Sequence, residues 1–451
     1  MTVRRVVPIT LVIVLGAACR WQSEAPVSQK ETGVSVSGVP GVAAGAQGSP
    51  GETEKRVPAS PSPLSQKDLP TTAPSIAIGN LESSITDADA RLASGRGRGP
   101  AFLSSLAGLH LMHGRLVGNL AEYDRAAELI ERAVKEGPNE ARVYLGRAEV
   151  KSTFHQFDEA LADIARAVKL KADSHEVDTE RASVLVGMGR IAEARPIVER
   201  WAKELPDIST LGALAGIAAD EGRLDEAEQI YLRAEHAFSD VYPFPVAALW
   251  FQEGLMWQKA GRPARARELF EGALERMPVH AAAIAHLADV EAQTGEREKA
   301  IERLRGLVQK SDDPEYRGQL AALLAAAGKT AEAEPLRAEA KAGFAKLLLA
   351  HPLAYGDHAA RFFLSSGDAR AALALAEKNL AARKTGDAYQ LVVEAALAAG
   401  DHPRACAASD AMVTAFPKRL AFHNLAWKAF LACGKKERAD AELKLAESLP
   451  R

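Results

Sequence analysis

The chain repeats one short pattern, a glycine followed five residues later by an alanine, and this repetition constrains the fold more than any other feature. Successive alanines of the pattern lie 33, 34 or 39 residues apart. The pairs are Gly189/Ala194, Gly222/Ala227, Gly261/Ala266, Gly295/Ala300, Gly328/Ala333, Gly367/Ala372, Gly400/Ala405 and Gly434/Ala439. Counting back by 34 from Ala194 reaches Ala160 and Ala126, which makes ten units from about residue 101 onward. A period of this length is typical of helical arrays, in which each unit packs on its neighbours.

A second set of residues recurs at fixed distances from these alanines. Twelve residues earlier stands a small residue in eight of the ten units, and only Val393 and Trp427 depart from this rule. The small residues are Gly114, Ala148, Ala182, Ala215, Gly254, Ala288, Ala321 and Ala360. Units close on Pro138, Pro206, Pro278 and Pro417, and open on Tyr144, Trp250 and Tyr389. Two helices that cross closely need small side chains at the crossing, glycine permits the left-handed turn between them, and proline ends the second helix.

This pattern resembles the tetratricopeptide repeat. The resemblance implies an all-α fold, an α-α superhelix of about ten helix pairs over residues 100–451, with the first helix of each pair on the concave face. The composition agrees, because aromatic residues make up only 6% and helix formers dominate. Both 39-residue steps carry extra residues, at 237–249 and 340–353, and we expect each insertion to lengthen a helix or to bulge between repeats.

The N-terminus has the pattern of an export signal. Arg4 and Arg5 precede an apolar run over residues 6–18 that is too short to span a bilayer as a mature helix. The run ends in LGAAC at Cys19, which resembles the lipobox of bacterial lipoproteins, in which the cysteine is acylated. We therefore predict a signal peptide at 1–18 and lipidation at Cys19, which implies an outer membrane lipoprotein of the bacterial envelope, facing the periplasm or the surface. The alternative is an ordinary signal peptide cleaved near Ala18, with Cys19 incidental.

Residues 19–99 form the second predicted segment, a disordered linker. They are rich in Gly, Pro, Ser and Ala and show little periodicity, so they cannot bury enough apolar surface to fold alone. An amphipathic stretch at 81–92 is the one candidate for a helix within it.

No pattern of residues indicates catalysis. Gly328-Lys329-Thr330 resembles the end of a phosphate-binding loop, but no glycine stands five residues earlier and no strand is predicted to precede it. His110 and His113 share a helix face without a carboxylate or cysteine at metal-ligand spacing, so we interpret them as surface histidines. The net charge of −3, with both signs interspersed, argues against a nucleic-acid partner. We therefore predict no enzyme, no cofactor and no metal site.

The resemblance also nominates a binding surface. In this family, positions eighteen, fifteen, eleven, eight and seven before the marker alanine face the concave side. Here they are Arg142, Leu145, Glu149, Phe251, Leu255, Gln258, Lys259, Asp357, Arg361, Asn424 and Lys428. Phe251 and Leu255 are the predicted apolar anchor for a partner. The alternative is that Phe251 packs against the insertion around Tyr242 and Phe244. Asn424 and Lys428 alone do not make the carboxylate clamp for which the family is known.

Cys406 and Cys433 are predicted to form a disulfide. Cys406 begins the second helix of the ninth unit and Cys433 ends the first helix of the tenth, so both lie at the same end of neighbouring antiparallel helices. An exported protein meets an oxidising compartment, where such a bond persists. The alternative is that both cysteines are small buried apolar residues.

These features together predict a function. We expect a non-catalytic scaffold, tethered to the outer membrane by its lipid anchor, that binds a protein or peptide partner on the concave face. The alternative is an envelope structural or assembly factor that acts through its convex face or through self-association.

Overall fold

A computed structural model describes residues 69–449, and within this range the chain forms 21 helices and no strand. The helices are α1 (Pro74–Ala93), α2 (Pro100–Val117), α3 (Ala121–Glu136), α4 (Ala141–Thr153), α5 (Phe157–Lys169), α6 (Ser174–Gly187), α7 (Ile191–Glu204), α8 (Ile208–Asp220), α9 (Leu224–His236), α10 (Pro243–Lys259), α11 (Pro263–Arg276), α12 (Ala281–Gln293), α13 (Arg297–Val308), α14 (Pro314–Ala326), α15 (Thr330–Ala350), α16 (Gly356–Ser365), α17 (Ala369–Ala382), α18 (Gly386–Ala398), α19 (His402–Ala415), α20 (Leu420–Ala432) and α21 (Lys436–Ser448). None of these helices combines the length and the apolar character needed to cross a bilayer.

Helices α2 to α21 form ten antiparallel pairs, which confirms the predicted fold class. The small residues mark the crossing within a pair: a Cβ atom on Gly254 would lie 2.6 Å from the Phe270 ring, and one on Gly114 would lie 2.8 Å from the Tyr123 ring. The glycine between the two helices takes a positive φ, and His155 takes the same conformation at φ 55° where the second repeat lacks a glycine. Local sequence therefore fixes each helix pair.

Both insertions lengthen a helix. Helix α10 has 17 residues and α15 has 21, whereas most helices of the array have 12 to 14. The extra length of α15 leaves Leu349 near its end 88% exposed.

Helix α1 corrects the predicted boundary of the linker. It covers the proposed amphipathic stretch, and its residues Leu81 and Ile85 pack against Leu116 of the first repeat and Ala247 and Met277 of the fifth. The folded region therefore begins before residue 100. The predicted signal peptide, Cys19 and linker residues 19–68 lie outside the described residues.

The array coils so tightly that its second superhelical turn touches its first. Turns within the first four repeats contact the connections that precede α14, α16, α18 and α20, and the contacting residues are 192 to 199 positions apart. The first repeat thus lies beside the junction of the sixth and seventh repeats. The same offset between contacting repeats holds for the second, third and fourth repeats.

Backbone groups carry much of this contact between turns. The amides of Leu120 and Ala121, at the start of α3, donate to the Asp312 carboxylate at 2.6 and 3.2 Å. The N-cap residue of α3, Leu120, has no side chain that can cap the helix, so Asp312 supplies a cap from the next turn, and Asn119 Oδ1 also accepts from the Ala121 amide at 3.2 Å. Two repeats later, the Lys384 amide donates to the Met188 carbonyl at 3.1 Å.

Candidate functional site

The inner face of the superhelix lines an open cavity of about 1250 Å³. Its wall consists of the first helices of repeats one to three (α2, α4 and α6), helix α10, helix α1 at one side, and the returning turn at α14 and α16. A second cavity, of about 1340 Å³, lies between α8, α10 and the connection at 418–421. We call them the N-terminal cavity and the C-terminal cavity.

The predicted binding residues divide between these places. Arg142, Leu145, Glu149 and Phe251 line the N-terminal cavity, and Leu255 and Lys259 line the C-terminal cavity. Five further residues line neither cavity: Gln258, Asp357, Arg361, Asn424 and Lys428.

Phe251 and Leu255 do not have the exposure that an anchor for a partner requires. They are 5% and 4% exposed, and both belong to the core of the fifth repeat. The Phe251 ring packs against Phe270, His280 and His286, with centroid distances of 5.8, 4.8 and 5.6 Å. The alternative partner Phe244 packs in the cluster beneath α1 instead.

Lys259 and Asp357 are engaged within the chain. Lys259 Nζ lies 2.8 Å from Asp387 Oδ2 on α18, so it joins the two superhelical turns. Asp357, which is 3% exposed, lies 3.6 Å from Arg383 and 3.8 Å from His358. Although burial opposes its ionised form, His358 and Arg383 hold the pKa of Asp357 below its ordinary value. Lys259 therefore serves the closure of the superhelix directly, and Asp357 serves it through Arg383, which donates to the Gly187 carbonyl of the other turn.

His358 completes this buried ion network. Its Nδ1 lies 2.7 Å from Glu315 Oε2. Burial lowers the pKa of His358, but the Glu315 and Asp357 carboxylates outweigh it and raise that pKa to about 10. The imidazolium is therefore charged at neutral pH and binds the two carboxylates together.

Carboxylates and arginines alternate along the wall of the N-terminal cavity. Arg115 Nη1 donates to Glu149 Oε1 at 2.9 Å, and Arg142 Nη2 donates to Glu176 Oε1 at 2.7 Å. Beside them Glu180 on α6 is 8% exposed, and its Oε1 has no hydrogen-bond partner among the described residues. Burial, and then the Glu149 charge, raise the pKa of Glu180 to about 8, against the opposing effect of Arg115.

The binding residues nominated from the sequence did not include Arg115, Glu176 or Glu180, although the sequence pattern indicates the first two. Arg115 lies eleven residues before Ala126 and Glu176 eighteen before Ala194, so the position rule used above selects both. Glu180 lies fourteen residues before Ala194, outside that rule, and only its packing makes it visible.

The two histidines of α2 are not surface residues. His110 is 5% exposed and lies between Glu122 of α3 and Asp89 of α1, 3.2 Å from the latter. His113 Nδ1 lies 3.1 Å from the same Glu122. The cluster joins α1 to the first repeat, and between residues 69 and 449 no group of His, Cys, Asp and Glu has the geometry to hold a metal.

Cys406 and Cys433 lie at the same end of neighbouring helices. Their Cα atoms are 6.6 Å apart and the two sulfur atoms are placed as a disulfide. This separation is within the range that a disulfide spans. The oxidation state of the pair in the cell stays a prediction.

Comparison with known proteins agrees with the helical-repeat architecture. Models of the tetratricopeptide repeat match residues 111–175, 179–241 and 258–324, together a little under half of the chain. No curated protein matches the sequence.

Solved structures match over most of the chain, at low identity. A human IFIT1 dimer with PPP-AAAA is 16% identical, covers 78% of this chain and 73% of its own, and has a TM-score of 0.41. Yeast Tom70 is 12% identical, covers 83% of this chain and 90% of its own, and has a TM-score of 0.36. At these scores the similarity carries no inference about binding.

Proposed function

We propose that this array of tetratricopeptide-like repeats is a non-catalytic scaffold that binds a protein or peptide partner on its concave face. The observation that carries the proposal is the N-terminal cavity, about 1250 Å³ in volume, whose walls combine apolar side chains with carboxylates and arginines. Such a combination, a concave apolar surface with a few polar groups that fix orientation, is typical of ligand sites. The stretches that match the repeat models include α4 and most of α6 and α14 in this wall, whereas α1 and α16 lie outside them.

A segment of a partner in an extended conformation fits the cavity better than a folded domain does. The cavity lies between two superhelical turns that contact each other, and its volume of about 1250 Å³ has room for a peptide segment but not for a folded domain. Arg142, Leu145 and Glu149 are the nominated residues that support this mode of binding.

A photo-crosslinker tests the location of the site. We would place the photoreactive amino acid at Leu145, inside the N-terminal cavity, and at Lys203, on the exposed end of α7, in cells of the source bacterium. The proposal predicts one dominant crosslinked partner from position 145 and a much weaker yield from position 203. The reverse result would contradict it.

The tether is a further part of the proposal. We infer that Cys19 is acylated and holds the array at the bacterial outer membrane, because the lipobox pattern falls at that cysteine. Several acyl chains bind a bilayer firmly, whereas a chain without them has no anchor. Cys19→Ala should therefore move the protein from the membrane fraction to the periplasmic fraction, with its helical circular dichroism unchanged. Persistence in the membrane fraction would contradict the lipid anchor.

One observation favours the alternative, an assembly factor that acts by self-association or through its outer surface. Leu349 on the lengthened helix α15 is 88% exposed, and Leu353 beyond it is 46% exposed. If this surface joins copies of the chain, Leu349→Asp should convert a dimer into a monomer in sedimentation velocity. A wild-type chain that is already a monomer at micromolar concentration would exclude self-association through Leu349.

A further inference from the structure

One acidic side chain on the wall of the N-terminal cavity lacks a partner. Among the acidic residues that line the cavity, three come from two neighbouring inner helices: Glu149 on α4, and Glu176 and Glu180 on α6. Arg115 forms an ion pair with Glu149, and Arg142 forms one with Glu176. Oε1 of Glu180 has no hydrogen-bond partner within the described part of the chain, and its raised pKa of about 8 keeps this carboxyl group protonated at neutral pH. A cation placed beside it favours its ionised form.

The burial of Glu180 makes this lack of a partner costly. A buried carboxyl oxygen without a hydrogen-bond partner loses its hydration and gains nothing in return, and native structures rarely keep such an atom without a use. Glu180 is 92% buried and borders the cavity, so the cavity is the side from which a donor can approach its carboxyl group. Glu149 and Arg115 both affect the pKa of Glu180, so the three side chains lie close enough to interact electrostatically.

Apolar side chains from α1, α2 and the start of α10 line the same cavity. They are Leu81, Leu109, Met112, Leu116 and Phe244. A ligand that satisfies both kinds of surface therefore carries a cationic group next to apolar groups. A lysine or arginine flanked by apolar residues has this chemistry, because its aliphatic stem packs on apolar surface and its charged end reaches the carboxylates.

We propose that the N-terminal cavity is a subsite for a lysine or arginine side chain of the partner segment, with Glu180 as its primary acceptor and Glu149 and Glu176 beside it. The proposal rests on the scaffold function above and names the class of residue that the scaffold recognises. Arg115 holds Glu149 in place and thereby acts as a positioning residue.

Two blocked fluorescent octapeptides test the proposal, one with lysine alternating with leucine and one with glutamine in place of lysine. Fluorescence anisotropy with the full chain in detergent should give a dissociation constant about tenfold lower for the lysine peptide, since a hydrogen bond to a charged group is worth on the order of 1.4 kcal/mol or more. Glu180→Gln, which keeps the shape of the side chain, should abolish most of this preference. The matched control Glu204→Gln changes an exposed carboxylate at the end of α7 and should leave the preference intact.

A second variant guards against misfolding. Glu149 is only partly buried, with 31% of its side chain exposed, so Glu149→Gln should leave the thermal midpoint nearly unchanged. It should still weaken the lysine peptide several-fold, because Arg115 loses its partner and repels the incoming cation.

Several results would overturn the proposal. Equal affinity for both peptides would show that the cavity does not recognise charge, and an unchanged preference in Glu180→Gln would place recognition elsewhere. If a synthetic peptide of residues 51–68 binds more tightly than the lysine peptide, the occupant is the chain's own linker and not a partner. None of these results bears on the crosslink from position 145, which decides the scaffold function separately.

Discussion

At the scale of single residues, identical local conformations serve different purposes along the array. Gly222 and Gly328 both sit in the turn between paired helices, with φ of 78° and 76°. A Cβ on Gly222 would lie 2.5 Å from the Lys418 carbonyl oxygen of the next superhelical turn, whereas nothing lies within 4 Å of such an atom on Gly328. Gly222 is therefore required for two reasons: the left-handed turn between its helices and the close approach of the next superhelical turn.

This difference gives a matched pair of variants. Gly328→Ala should cost about 1–2 kcal/mol, the cost of the left-handed conformation for a residue with a Cβ. Gly222→Ala pays the same cost and must also push the turns apart, so its thermal midpoint should fall further. Hydrogen exchange at the amides of residues 418–420 should accelerate in Gly222→Ala only. Equal losses in both variants would mean that the contact between turns contributes nothing.

Glu180 makes stability depend on pH. Its pKa of about 8 in the folded chain exceeds the value of 4.5 for an exposed glutamate, so the unfolded chain releases this proton more readily. Its contribution is fully present below pH 4.5 and is lost as pH rises toward about 8, by on the order of 1.4 kcal/mol per unit of pKa difference. Glu149 on α4 opposes its ionisation and Arg115 on α2 favours it.

The variant Glu180→Gln removes this dependence because glutamine does not titrate. Its thermal midpoint relative to the wild type should rise steadily between pH 5 and pH 8 and level off above that. Glu204→Gln, at an exposed position, serves as the control and should follow the wild type throughout. A constant difference between wild type and Glu180→Gln over this range would show that Glu180 titrates normally.

At the scale of elements, α1 is the part whose attachment is least determined by the repeat. It lies against α2 and also against the fifth repeat, through Leu81, Ile85 and the histidine–carboxylate cluster. Thr72 strengthens this attachment, since its amide donates to the Val241 carbonyl at 2.7 Å. Helix α1 therefore connects repeats that the chain order keeps apart.

Limited proteolysis measures that attachment. In the wild type the first cuts should remove residues before about 69 and leave a core that retains α1. Leu81→Asp places a charge in the apolar contact and should expose α1 to cleavage near residue 95, with the remaining helices intact. Ser83→Asp introduces the same charge at an exposed position of α1, two residues away, and should behave as wild type. Loss of α1 from the wild-type core at the earliest times would contradict its docking.

At the scale of the whole molecule, the superhelix is closed by buried polar contacts between its turns. Arg383 donates from Nε to the Gly187 carbonyl at 2.9 Å and lies beside Asp357, with only 7% of its side chain exposed. Because the contacts join segments nearly two hundred residues apart, we expect them to hold the pitch that the rotation at each repeat sets, and with it the width of both cavities.

Arg383→Met tests whether these contacts hold the coil closed. Removing one partner of a buried ion pair typically costs about 3–5 kcal/mol, and here the loss should open the turns rather than unfold the repeats. Small-angle X-ray scattering should then show a larger radius of gyration, while helical circular dichroism stays unchanged. Arg404→Met, at an exposed arginine that pairs with Glu377 and Asp401 in its own neighbourhood, is the control. An unchanged radius in Arg383→Met would mean that packing alone sets the pitch.

The sequence by itself determined the repeating unit. The spacing of Gly114, Ala126 and their counterparts defines ten helix pairs, because the residues that permit a close crossing and a left-handed turn lie within one repeat of each other. The neighbouring cysteines of the last two repeats could be paired for the same reason, since adjacent helices have a fixed relation.

Only the tertiary structure decided the pitch, the place of α1 and the use of the inner residues. The pitch is the sum of a small rotation at each repeat, and the short sequence pattern of one repeat does not encode that sum. The Lys259–Asp387 pair, the burial of Phe251 and the free carboxyl of Glu180 all depend on it, because each is defined by packing around the superhelix. The position of a residue within the repeat determines the face of the helix on which its side chain lies. The superhelical coil determines which other residues that face contacts.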